Sequence, residues 1–190
     1  MCNGDEVCTT QRECRVPCGA PGAICRVFVT STSRRGNFGG LAGADQVCQD
    51  LAAGAGLSGN YKAWLSDATG SPGTRFTQAQ GPYQLVNGTV IAGNWTELTS
   101  GSLAHEINVD EHGEPLPDPT ALNDVWTATT PSGTRYTLGA AVVDCENWTQ
   151  EDVDHFGGLG TSSVASANWT QAGIAITCAT RNRLYCFQQS

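Results

Sequence analysis

The sequence predicts an α+β domain, with a mixed or antiparallel sheet, few helices and disulfide staples. Three observations carry this. Ala44, Val47, Cys48, Leu51, Ala52 and Ala55 recur at i, i+3, i+4, i+7, i+8 and i+11, which places them on one apolar helix face. Short β-branched and aromatic runs, separated by Gly, Pro and Asn, read as strands. Nine cysteines in 190 residues read as a disulfide framework.

Residues 1–25 form a cysteine-rich segment whose apolar pattern is too sparse to build a core without staples. Cys8, Cys14, Cys18 and Cys25 supply two local bonds there, with the pairing left open. Residues 26–190 form the main domain. Its first strand is Arg26 to Thr32, followed by a glycine turn through Gly36, Gly39 and Gly40 and then the helix, which Gly54 and Gly56 terminate. Tyr61 to Ser66 alternates as a strand. Tyr83–Val86 and Thr89–Ala92 flank Asn87-Gly88, which predicts a hairpin with a type I′ turn. Residues 99–124 read as a long loop broken by Pro115, Pro117 and Pro119. Val125–Thr129 resumes the sheet, Pro131-Ser132-Gly133 turns it, and Ala140–Val143 leads to Cys145. Gly157–Gly160 reads as a loop before strands near Ile174–Thr177 and Arg183–Phe187.

The cysteine content points to an oxidising compartment, and so to an exported chain. A zinc ribbon needs C-x-x-C knuckles, and no two cysteines here have that spacing. The odd count leaves one cysteine over. Cys2, followed by Asn3-Gly4-Asp5-Glu6, has the pattern of a bacterial lipoprotein after signal removal, which would place the chain on the outer membrane through lipidation at Cys2. The alternative is an ordinary cysteine near the start. No apolar run approaches the roughly 20 residues that span a bilayer, so membrane contact is expected only through a lipid anchor or a partner. The net charge of −8 argues against nucleic acid and other polyanions. From Glu97 to Asp154 there are twelve acidic residues against one base, Arg135.

Several words of the sequence resemble one family. They are Gly39-Gly40-Leu41-Ala42-Gly43-Ala44-Asp45 with Cys48, Leu57 to Ser66, Val125-Trp126-Thr127 with Pro131-Ser132-Gly133, Asp144-Cys145-Glu146-Asn147-Trp148, and the tail from Ala165 to Phe187. In this order they are similar to bacterial endostatin-like domains, relatives of collagen endostatin. The resemblance implies a C-type lectin-like fold and two nested disulfides, Cys48–Cys186 and Cys145–Cys178. It does not carry over endostatin's arginine-rich heparin surface, since this chain is acidic. Nor does it carry over endostatin's N-terminal histidine zinc site, since only His105, His112 and His155 are present. The calcium-bridged sugar triplets of C-type lectins are also missing: Glu114-Pro115-Leu116 comes too early, and Asn168-Trp169-Thr170 has no acid beside its Trp.

Three binding chemistries remain. Asn108, Asp110, Glu111, Glu114, Asp118 and Asp124, with Asn123, gather hard oxygen donors of the kind calcium takes six to eight of, against the reading of a solvated acidic loop. His155 beside Asp152 and Asp154 is a weak metal candidate, against a surface histidine. Trp95, Trp148 and Trp169 each sit between Asn and Thr, so Trp95, Asn147, Trp148, Asn168 and Trp169 offer sugar-stacking rings beside hydroxyl acceptors. The competing reading puts these rings in the core, as it does Trp64 and Trp126. No G-x-S-x-G, H-E-x-x-H or phosphate loop appears, so no catalytic residue is assigned. The expectation is non-enzymatic extracellular ligand binding, with carbohydrate as ligand and calcium assisting. The alternative is a protein-binding adhesin or envelope scaffold with neither sugar nor metal.

Overall fold

The computed structural model describes residues 7–8, 14–15, 17–116 and 123–190. The N-terminal segment contributes β1 (Val7–Cys8) and β2 (Cys14–Arg15), an antiparallel pair with Cys8 opposite Cys14. Cys18 and Cys25 are disulfide-bonded, which staples the segment to the first strand of the main sheet. Cys2 lies outside the described residues.

The main sheet has five strands in the order β4-β12-β3-β5-β6. They are β3 (Cys25–Val29), β4 (Tyr61–Ala63), β5 (Tyr83–Leu85), β6 (Val90–Ala92) and β12 (Tyr185–Gln188). Only the β3–β5 pair is parallel. Both faces are covered, so the strands alternate between two cores rather than between core and water. On β3, Val27 and Val29 enter one cluster and Phe28 the other; on β12, Tyr185 and Phe187 enter the first and Cys186 the second. Trp64 centres the first cluster, with ring centroids 4.9 Å from Trp169, 5.2 Å from Phe187 and 5.7 Å from Phe76.

Helix α1 (Leu41–Gly54) covers the second cluster with Leu41, Ala44, Cys48 and Ala52. Its apolar spacing brings Cys48 inward, where it bonds Cys186. The polar residues flanking that face also have work. Asp45 Oδ1 accepts from Ala63 N at 3.0 Å and Gln49 Oε1 from Tyr61 N at 3.0 Å, so two side chains one helical turn apart satisfy the edge strand β4. Asp45 Oδ2 also pairs at 2.5 Å with Arg75, the last residue of the short helix α2 (Pro72–Arg75).

A second sheet, in the order β11-β10-β7, is antiparallel and consists of β7 (Asp124–Trp126), β10 (Phe156–Thr161) and β11 (Ala175–Thr177). Bonds from Trp126 N to Arg183 O and Ser66 N to Thr127 O join it to the first. The hairpin β8 (Thr137–Leu138) and β9 (Ala141–Val142) projects beside it, and α3 (Trp95–Leu98) follows β6.

Two local expectations are corrected. Gly157–Gly160 is not a loop but the body of β10, and its glycines reflect close packing. A Cβ at Gly157 would stand 2.5 Å from Trp126 Cζ3, and one at Gly160 2.1 Å from Trp169 O. The Asn87-Gly88 hairpin forms, but only Gly88 has positive φ, at 97°. Gly88 N bonds Leu85 O and Leu85 N bonds Thr89 O, so the turn is a type I turn closed by a left-handed glycine. The stretch after residue 99 is a loop, as expected, over its described residues, and it is pinned to the body: Leu103, Ile107, Val109 and Leu116 drop into the first core, and Val109 bridges Pro115.

Candidate functional site

Among the described residues the most unusual backbone is α4 (Cys145–Trp148). Its hydrogen bonds resemble a helical turn, but the winding is left-handed: φ is 49°, 50°, 57° and 60° at Cys145, Glu146, Asn147 and Trp148. L-residues resist this conformation by about 1–2 kcal/mol each, so four in succession persist only where the surroundings fix them. The fixings are specific. Cys145 is bonded to Cys178. Trp148 O accepts from Phe38 N and Gly40 N at 2.9 and 3.1 Å, and Trp148 Nε1 donates to Ser66 O at 2.9 Å. Asn147 Oδ1 accepts from Ala68 N at 3.0 Å. Asp144, only 1% exposed, accepts from Asn147 N at 3.1 Å and is paired with Arg135.

This turn forms part of the wall of a cleft of about 700 Å³, together with Arg135, Val142, Asp154, His155 and Phe156. Val142 and Phe156 give it an apolar surface and are 54% and 45% exposed. The polar side carries three carboxylates, Asp144, Glu146 and Asp154, against Arg135 and His155. His155 lies between two carboxylates, with Nδ1 2.8 Å from Asp152 Oδ1 and Nε2 3.3 Å from Glu146 Oε1. The bond to Asp152 and the two negative charges raise the His155 pKa above the usual histidine value, against a smaller lowering by desolvation. The same bond lowers the pKa of Asp152. Arg135 was legible as the sole base in the acidic stretch, and the structure uses it on Asp144. Nothing in the sequence marks the left-handed turn, which contains no glycine.

The expected calcium donors are not brought to one point. Glu111 is buried, and its carboxylate accepts from Ser31 N at 2.9 Å and from the Ser31 hydroxyl. Asp110 Oδ1 accepts from His112 N and Glu114 N at 2.9 and 3.0 Å, which closes a tight turn. Asn108 donates to Glu106, Glu114 is exposed, and Asp118 lies outside the described residues. Asp124 is on β7 beside Thr161, and burial raises its pKa. Among the described residues no group of three or more His, Cys, Asp or Glu is arranged to hold a metal ion.

The expected sugar-stacking rings are corrected by burial. Trp148 and Trp169 are fully buried, on opposite faces of the main sheet, and offer no ring face to a ligand. Trp95 is partly buried against Trp64 and Phe76. Asn168 is exposed on a 3₁₀ turn, Ala167–Trp169. Of the five residues, only Asn147 lines the cleft.

Fold and site together define a disulfide-bonded α+β domain with an acidic, partly apolar surface cleft built on a strained turn. No family model and no curated protein matches this sequence.

Proposed function

We propose that this chain is a non-enzymatic extracellular binding domain of the endostatin-like, C-type lectin-like kind, and that it takes a carbohydrate in the cleft beside Cys145–Trp148. The single observation carrying the reading is the half-exposed Phe156 ring sharing one cleft with Glu146, Asn147 and Asp154. An apolar ring face packs against the C–H face of a sugar while carboxylates and amides bind its hydroxyls. The nested bonds Cys48–Cys186 and Cys145–Cys178 are those the family resemblance implies, and they support the fold assignment. They also support a place outside the cell, where such bonds persist. Among the described residues no helix is long and apolar enough to cross a membrane.

A glycan array probed in calcium and again in EDTA tests the reading. Equal signals in both, lost in Phe156→Ala and Glu146→Ala, are expected, because the cleft supplies its own acceptors. Signal in calcium alone would move the site to the acidic loop around Asp110 and Glu114. Silence in both would favour the second reading, a protein-binding surface, to which the exposed Leu138, Val142, Val153 and Phe156 already point.

A further inference from the structure

Glu146 is 60% exposed and lines the cleft, yet it is not free. His155 Nε2 lies 3.3 Å from its Oε1, and the other ring nitrogen lies 2.8 Å from Asp152 Oδ1. One imidazole can donate to both carboxylates only when it carries both protons. The two partners are held very differently. Asp152 Oδ1 is fixed by three donors, since it also accepts from Asp154 N and His155 N at 3.0 Å each. The His155 carbonyl is tied to Cys178 N at 2.8 Å, so the ring's base cannot drift. The Glu146 side chain has only this ion-pair contact and no hydrogen bond among the described contacts. When the ring loses one proton, the remaining N–H therefore stays on Nδ1 toward Asp152. The Nε2 lone pair then faces a carboxylate oxygen, and the contact becomes repulsive.

We propose that His155 is a proton-operated latch on Glu146, in which the charged imidazole holds the carboxylate against the cleft wall and its neutral form releases that carboxylate to a ligand. The inference rests on the ligand-binding reading of the cleft and adds its regulation and its ligand chemistry. The other charges facing the latch do not alter its sense. Asp144 is occupied by Arg135, and Asp154, like Glu146 and Asp152, favours the charged ring. The ligand that gains from release brings hydrogen-bond donors, such as the hydroxyls of an uncharged sugar; an anionic sugar would meet Glu146 and Asp154 and be repelled. Proton and ligand compete, so affinity falls with acidification, by at most about tenfold per pH unit for one linked proton.

The test needs no ligand, so it decides the latch whether or not the cleft takes sugar. The intact oxidised protein is titrated by NMR, following its three histidine rings and the backbone amides of Asn147 and Trp148, with His155→Gln identifying the ring. A His155 midpoint above the ordinary histidine value is expected, with a downward shift in Glu146→Gln. The Asn147 and Trp148 amides should move with that midpoint and stay still in His155→Gln. A midpoint that Glu146→Gln leaves unchanged, or amides that ignore the His155 titration, would overturn the latch.

Discussion

Gly157→Ala is the sharpest probe of how the cleft is held, because the cost can be worked from contacts. The new methyl carbon would lie 2.5 and 2.8 Å from Trp126 Cζ3 and Cε3 and 3.0 Å from Cys145 Sγ. Neither neighbour can step aside. The Trp126 indole is fully buried and donates to Arg34 O at 2.9 Å, and Cys145 is held by its bond to Cys178 and by the left-handed turn. Overpacking of this sort costs about 1–3 kcal/mol, and two immovable neighbours put it at the upper end. Alanine stiffens the unfolded chain and returns about 0.4–1 kcal/mol. A net loss of roughly 2 kcal/mol follows, or a Tm lower by about 4–8 °C for a domain of this size. Gly54→Ala is the paired control: this helical glycine has nothing within 4 Å of its added Cβ, and the change should stabilise by about 1 kcal/mol. Urea and thermal unfolding under oxidising conditions, followed by tryptophan fluorescence, read both. A Gly157→Ala protein unfolding at or above the wild-type midpoint would refute the claim that β10 is glycine-rich for packing.

Three further outcomes are expected. Cys48→Ala with Cys186→Ala opens a loop of sequence separation 138 and should lower stability by about 5 kcal/mol in the chain-entropy model, seen as a large drop in urea midpoint that the intact protein shows only with reductant. Glu111→Ala strips Ser31 of its acceptors and should cost about 1–3 kcal/mol, where a freely solvated acid would cost almost nothing in the same unfolding assay. Burial raises the Asp124 pKa above that of the unfolded chain, so the folded state binds the proton more tightly, and stability falls as pH rises from the ordinary carboxylate range through the raised value. Asp124→Asn should therefore gain on the wild type above that window and not below it; parallel stability curves would count against the assignment.

Much of the scaffold was legible because local pattern and long-range role coincide. The helical spacing that puts Ala44, Cys48 and Ala52 on one face is the spacing that delivers Cys48 to Cys186. The hairpin around Asn87-Gly88 was legible for a similar reason: its strands and turn are adjacent in sequence. The site was harder to read because its features arise from distant contacts. Asn147-Trp148-Thr149 and Asn168-Trp169-Thr170 look like paired acceptors and rings. Their indoles are buried by Phe38 and Trp126 in one case and by Trp64 and Tyr185 in the other, all remote in sequence. The glycines of β10 suggest a loop until the side chains filling their space are known. Glu111 reads as one acid among many, and only Ser31, 80 positions away, makes it structural.

The place of β12 has a consequence for how the molecule comes into being. Its residues, 185–188, run between β3 and β4, so an interior strand of the main sheet is supplied by the last of the described elements in chain order. A growing chain that lacks them has two strands with no partner between them and a helix whose Cys48 has nothing to bond. The main sheet cannot close until residues 185–188 have been made. A chain cut before Tyr185 would lose the keystone of the sheet and not its fringe, leaving β3 and β4 with open edges and no Cys48–Cys186 bond to close them.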